Sequence, residues 1–204
     1  MSAAQQGLKR GLLIVAVLVM VGVAGFAAVR WLAPGDRQGS TGVASIGGPF
    51  ELVNQDGQTV TDKTYAGKYL LVYFGYTNCP DICPTALQTI AIAMDDLGPL
   101  ADKVQPILIT VDPERDTPKV MKEYVQAFTK RLVGLSGTPE QIARVAKEYR
   151  VYYQKVPLKN SSLGYSMDHS GFTYLMDRQG RYLTHFRHDV TPEDLAQRLK
   201  DRLS

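Results

Sequence analysis

Residues 68–84 read Lys-Tyr-Leu-Leu-Val-Tyr-Phe-Gly-Tyr-Thr-Asn-Cys-Pro-Asp-Ile-Cys-Pro, and this stretch decides the fold. Its first nine residues are a nearly continuous apolar and aromatic run, the pattern of a central strand buried on both faces. Past Cys83, the apolar positions Ala86, Leu87, Ile90, Ala91, Met94 and Leu97 recur at three- and four-residue spacing, which predicts a helix over 83–97. Two cysteines therefore stand where a buried strand ends and a helix begins. Reactive groups gather at the carboxyl ends of strands in open α/β sheets. A helix N-terminus also stabilises negative charge, which favours thiolate over thiol. With Cys83 in the first turn and Cys79 in the loop before it, both sulfurs can face one point. Pro84 is tolerated where no intrahelical N–H partner exists.

Outward from this unit, strands alternate with helical patterns. Residues 104–111 (Val-Gln-Pro-Ile-Leu-Ile-Thr-Val) read as a second buried strand. Thr117-Pro118, Thr138-Pro139-Glu140 and Thr191-Pro192-Glu193 each place an N-cap before a first-turn proline. They predict helices over 118–129, 139–149 and 192–203. Strands are expected near 172–177 and 181–187, joined by Asp177-Arg178-Gln179-Gly180. On the N-terminal side, Asp56-Gly57 between residues 50–53 and 58–60 signals a hairpin. Strand, helix, strand, then a hairpin and a terminal helix is the thioredoxin order, with a mainly parallel centre. The reading is an α/β thioredoxin-like domain over 49–204, with an N-terminal β-hairpin extension and a helical insertion at 118–149.

The two cysteines of the chain are Cys79 and Cys83. They close too small a loop to act as a structural staple, so the pair is read as chemical. Thioredoxin-type exchangers use two intervening residues; three still permit a disulfide and also open the bite for a metal, so spacing alone leaves redox pair and metal ligands both open. His169, in Met167-Asp168-His169-Ser170, is expected in the loop entering the strand at 172–177, close to the cysteine turn in this topology. Two thiolates and one imidazole suit Cu(I) and Cu(II) and could take zinc. With Cu(I) the first shell has net charge −1; with Cu(II) it is neutral. His185 and His188 fall on or after the last strand and are expected to be exposed. Met94 belongs to a helix core pattern, whereas Met167 lies near enough to His169 to be considered as a weak extra ligand, and Asp168 as its hydrogen-bonding support.

The first forty residues have a different character. After Lys9-Arg10, residues 11–29 are 19 residues without a charge, followed by Arg30 and Trp31. As a helix this stretch is about 28 Å long, enough to cross a hydrocarbon core. It exceeds the h-region of a cleavable signal, so residues 11–31 are read as a retained transmembrane anchor. The tail 1–10 is assigned to the cytoplasm and 32–48, rich in Gly, Ser, Thr and Pro from 34 on, to a flexible tether. The chain carries formal charge +3, all of it attributable to residues 1–38. The remaining domain is neutral and lacks the basic stripe of a nucleic-acid binder.

The string Tyr-Phe-Gly-Tyr-Thr-Asn-Cys-Pro-Asp-Ile-Cys-Pro, then Thr-Val-Asp-Pro-Glu-Arg-Asp-Thr-Pro at 110–118, then Tyr-Ser-Met-Asp-His-Ser at 165–170 with Tyr174-Leu175-Met176-Asp177, resembles the Sco/SenC family over about 47–203. The resemblance implies a copper chaperone for cytochrome c oxidase assembly, with Cys79, Cys83 and His169 as the copper ligands. It further implies delivery of copper to the CuA centre of oxidase subunit II, or reduction of that centre's cysteines as a thiol-disulfide reductase. An upstream copper donor, a thiol reductant and an anchor in the bacterial inner membrane facing the periplasm would follow; the mitochondrial inner membrane, facing the intermembrane space, is the alternative. A redox or copper sensor is a further reading. The Asp-Arg-Gln-Gly at 177–180 departs from the family's common Asp-Pro-x-Gly, which alters a turn and leaves the site untouched.

Overall fold

In a computed structural model, the residues described are 46–159 and 163–203, together with Met20 and Gly22. The chain divides into two compact units, Met1–Val43 and Ala44–Ser204. In the first, only Met20 and Gly22 are described, both helical. The expected tail 1–10, all of the anchor 11–31 but Met20 and Gly22, and all of the tether 32–48 but its last three residues thus lie outside the described residues. No helix among the described residues is long and apolar enough to cross a membrane.

The described residues of the second unit form a mixed seven-stranded sheet with four α-helices and a separate two-stranded sheet. In chain order these are β1 (Glu51–Asn54), β2 (Thr59–Thr61), β3 (Tyr69–Gly75), α1 (Ile82–Asp96), β4 (Val104–Thr110), α2 (Pro118–Gln126), β5 (Val133–Ser136), α3 (Pro139–Glu148), β6 (Tyr153–Pro157), β7 (Tyr165–His169), β8 (Phe172–Met176), β9 (Tyr182–Arg187) and α4 (Pro192–Leu203). The large sheet runs β2-β1-β5-β4-β3-β8-β9, and among the described residues β6 pairs only with β7. β3, β4 and β5 are parallel, while β8 runs antiparallel to β3.

Local chemistry explains the boundaries. The β1–β2 turn closes because the Asn54 side chain accepts from the backbone of Asp56 at 3.0 Å and Gln58 at 2.9 Å. Gly57 there has φ +79°, a conformation costly to any residue with a Cβ. All three expected Thr-Pro starts are present: Thr117, Thr138 and Thr191 accept from the amides of Val120, Gln141 and Asp194. At 177–180 the missing proline is replaced by side-chain chemistry. Asp177 accepts from the amides of Gln179 and Arg181 and from Arg181 Nε at 2.7 Å. Burial pushes the Asp177 carboxyl up, but these donors outweigh it and hold it below its usual range.

β3 is the centre of the core. Leu71, Val72, Tyr73 and Phe74 are fully buried, as a strand covered on both faces requires. α1 and α4 pack on each other, α2 on β5 and α3 on β1. Two features differ from the sequence reading. The insertion 118–149 is not wholly helical, because β5 lies within it and links the β1–β2 hairpin to β4. Its Val-Gly-Leu-Ser is short and contains Gly134, where an added Cβ would come within 3.0 Å of Met121 and Val125 of α2. The glycine that weakens the strand signal is what lets α2 lie close. The second difference is the β6–β7 hairpin, whose β6 is largely exposed and polar and so carries no apolar alternation.

Candidate metal centre

The register of the sheet assembles the site. β3 and β4 end together at the pair Gly75–Thr110, so the loops that follow them emerge side by side. Antiparallel β8 begins against the same end, Thr173 opposite Tyr73, which brings residues 169–171 there as well. Val111 N donates to Gly75 O at 2.8 Å, holding the two exits in contact. Asp116, fully buried, accepts from Thr77 N at 3.1 Å, Thr77 Oγ1 at 2.6 Å and Thr110 Oγ1 at 2.5 Å. Burial pushes its carboxyl up and the two threonines pull against that.

Cys83 is the second residue of α1 and has no exposed surface; Cys79 lies in the preceding loop and is partly exposed. Both thiols are free. His169 is the last residue of β7 rather than part of a loop, a correction to the expectation above. Its ring stands edge-on to Tyr73 and Tyr76, with centroids 6.1 and 5.8 Å apart. Nδ1 lies 3.3 Å from the Ser170 carbonyl and Nε2 3.3 Å from Cys83 Sγ. An Nδ1–H donating to that carbonyl would turn the Nε2 lone pair to a metal held by the sulfurs, whereas in the metal-free site Nε2 is the ring atom that hydrogen-bonds the thiols.

The donor atoms of Cys79, Cys83 and His169 all lie within 4.8 Å of one another. Metal–sulfur bonds near 2.3 Å allow two ligand atoms to stand up to about 4.6 Å apart across one ion, so a small closure brings all three onto one centre. A recess of about 380 Å³ opens onto Cys79 and His169, with Met167, Asp168 and Tyr152 in its wall. Met167 is buried and Asp168 exposed. His185 and His188 are exposed, as expected, and His185 hydrogen-bonds Tyr182 instead. Met94 is a core residue of α1.

The two thiols titrate as a pair. The Cys83 thiol donating to the Cys79 sulfur is the largest influence on Cys79; burial opposes it and His169 assists, and the net result is a pKa of about 3. The same hydrogen bond, with burial and the Cys79 charge, pushes Cys83 up. Cys79 is thus a thiolate throughout the neutral range. In reduced, metal-free protein its alkylation rate by iodoacetamide is expected to stay flat from pH 5 to 8, whereas an ordinary thiol gains about tenfold per pH unit below ~8.5. Cys83 is expected to remain unlabelled. Mass spectrometry after timed quenching checks both; a Cys79 rate that climbs tenfold per unit contradicts the assignment.

Several contributors carried no signal in the sequence reading. Gly75 has no side chain, and a Cβ there would stand 2.9 Å from Cys83 Sγ and 2.9 Å from Tyr73 Cε1. Tyr73 is fully buried and its hydroxyl has no hydrogen-bond partner among the described residues. Tyr73 reads in sequence as one more apolar strand residue. Arg115 and Asp116 stand in a quoted motif, but only the fold shows what they touch.

A family model described as SCO1/SenC matches residues 38–204. A SCO2-like protein of Rickettsia prowazekii is 42% identical over 156 residues, covering 76% of each chain. Among solved structures, Bradyrhizobium japonicum ScoI with copper bound is 52% identical with TM-score 0.71, covering 77% of this chain and 99% of that one. Arabidopsis thaliana ScoI with copper bound is 41% identical with TM-score 0.74, covering 78% and 98%.

Proposed function

The chain belongs to the SCO1/SenC family, and from that premise we propose that it is a copper metallochaperone in which Cys79, Cys83 and His169 hold one copper ion as cargo. The observation that carries this reading is the convergence of two thiols and one imidazole within 4.8 Å, from positions 86 residues apart between Cys83 and His169. Two sulfurs suit Cu(I), and the imidazole extends the set to Cu(II). The copper bound by the similar ScoI structures supports the choice of metal. Partial exposure of Cys79 gives an acceptor's thiolate a point of entry, so the ion can pass between sulfur donors by ligand exchange.

In the cell, the segment 11–31 anchors the chain in the bacterial inner membrane, with the domain in the periplasm. The cargo is destined for the CuA centre of oxidase subunit II, loaded by an upstream donor after a thiol reductant has acted. Both thiolates are needed for the metal and a Cys79–Cys83 disulfide excludes it. Anaerobic copper titration of the reduced protein tests the reading. One copper per chain with thiolate-to-copper absorption is expected, and Cys79→Ala is expected to lose both; equal binding by wild type and Cys79→Ala refutes it.

The free thiols and the low pKa of Cys79 favour one second reading, a thiol-disulfide reductase. Cys79 thiolate attacks a partner disulfide and expels one partner thiolate. Cys83 then displaces the second, leaving Cys79–Cys83 oxidised and the partner reduced by two electrons. This activity would survive His169→Ala, whereas Cu(II) holding would not.

A further inference from the structure

The three donor atoms come from two separately hydrogen-bonded sheets. Cys79 and Cys83 follow β3 of the large sheet, while His169 ends β7, whose ladder partner is β6 alone. No backbone ladder joins the two sheets among the described residues. The short Ser170-Gly171 link into β8 brings His169 to the strand ends, and the angle of the hairpin that carries it is set by whatever side chains cross between the sheets.

Besides that link, side chains of residues 112–116, between β4 and α2, make the crossing. Arg115 Nη1 donates to the carbonyls of Tyr165 at 3.1 Å and Leu163 at 3.3 Å, at the start of β7. Arg115 Nε pairs with Asp112, whose other oxygen accepts the Tyr165 hydroxyl at 2.8 Å. The guanidinium carbon stands 3.7 Å from the Tyr165 ring centroid and 5.9 Å from that of Tyr76. Lys155 of β6 and Glu114 add an exposed ion pair at 2.8 Å. The same loop grips the cysteine segment through Asp116 and Thr77. One short loop thus holds both halves of the site.

We propose that Arg115 is the positioning residue of this centre: its guanidinium latches the β6–β7 hairpin to the 112–116 loop and so sets the reach of His169 to Cys79 and Cys83. The planar fork explains the choice of residue. It serves a carboxylate and two carbonyls while lying on an aromatic ring, which a lysine ammonium cannot do at once. An isolated two-stranded hairpin is marginal in water. Without the latch it keeps buried Met167 as an anchor but loses its fixed angle, and the imidazole wanders from the sulfurs.

The proposal deepens the copper-binding reading and is tested in two arms on the full-length chain, using Arg115→Gln and Arg115→Lys. In the first arm, amide hydrogen exchange is measured on reduced, metal-free protein. Amides of β6 and β7 are expected to exchange about ten- to a hundredfold faster in Arg115→Gln, from the loss of charge-assisted hydrogen bonds, with β3 and β4 unchanged. If β3 and β4 also accelerate, Arg115→Lys, which keeps the charge and the stem, carries the test. In the second arm, anaerobic Cu(II) affinity is compared with and without His169. The Arg115 substitution is expected to weaken binding about tenfold when His169 is present and not at all on a His169→Ala background. Hairpin exchange equal to wild type, or an equal loss of affinity on both backgrounds, overturns the proposal. A wild type that binds no copper refutes the proposed function instead, and the exchange arm alone then decides the latch.

Discussion

His169→Ala is expected to separate the two oxidation states of bound copper. Two sulfurs remain, a set that Cu(I) accepts, so its affinity is expected to fall by about tenfold. Cu(II) loses its one nitrogen donor, and its affinity is expected to fall by roughly a hundredfold or more, the scale of one ligand's share in a thiolate–imidazole site. The thiolate-to-copper absorption of the Cu(II) form should vanish with it. Little else depends on the ring: its neighbours Tyr73 and Tyr76 lose an edge-on contact and no hydrogen bond. His185→Ala, which removes an exposed histidine bonded to Tyr182, is expected to bind as wild type does. Competition titrations with both oxidation states, on both variants, give the comparison. Undiminished Cu(II) binding by His169→Ala removes His169 from the ligand set.

Gly75→Ala is expected to damage the centre without touching a ligand. The added methyl would stand 2.9 Å from Cys83 Sγ on one side and 2.9 Å from Tyr73 Cε1 on the other. Neither neighbour has room, since both are fully buried. Overpacking of this kind costs about 1–3 kcal/mol, or roughly 2–4 °C in Tm per kcal/mol in a domain of this size. The strain has one outlet toward the site. Cys83 Sγ moves away from β3, and the thiol–imidazole distance of 3.3 Å changes with it. A lowered Tm together with weaker copper binding is expected; calorimetry and the same competition titration measure them. Wild-type values for both would show that the strand end accommodates a methyl.

The residues differ in how far each could be read ahead of the fold. Cys79 and Cys83 were legible because the switch from a buried run to helical spacing happens between Gly75 and Ala86, and local periodicity suffices to see it. The three Thr-Pro helix starts and the Asp56-Gly57 turn are equally local. β5 was not legible, because a four-residue strand with a glycine has no periodicity to detect. The β6–β7 hairpin was hidden for a related reason: much of it faces solvent, so its strands lack the apolar alternation that burial imposes.

By itself, the sequence determined the thioredoxin-like order of the domain, the place of the two sulfurs at a strand–helix junction and the candidacy of His169, since each rests on spacing within a few residues or on matching motifs. Tertiary structure alone decided that His169 arrives on a hairpin outside the main sheet, that Gly75 makes room for Cys83, and that Arg115 and Asp116 hold the two halves together. The contacts of Asp116, Arg115 and His169 join residues 39 to 86 positions apart, and the close approach of such positions follows from sheet register and packing, which no local pattern of side chains encodes.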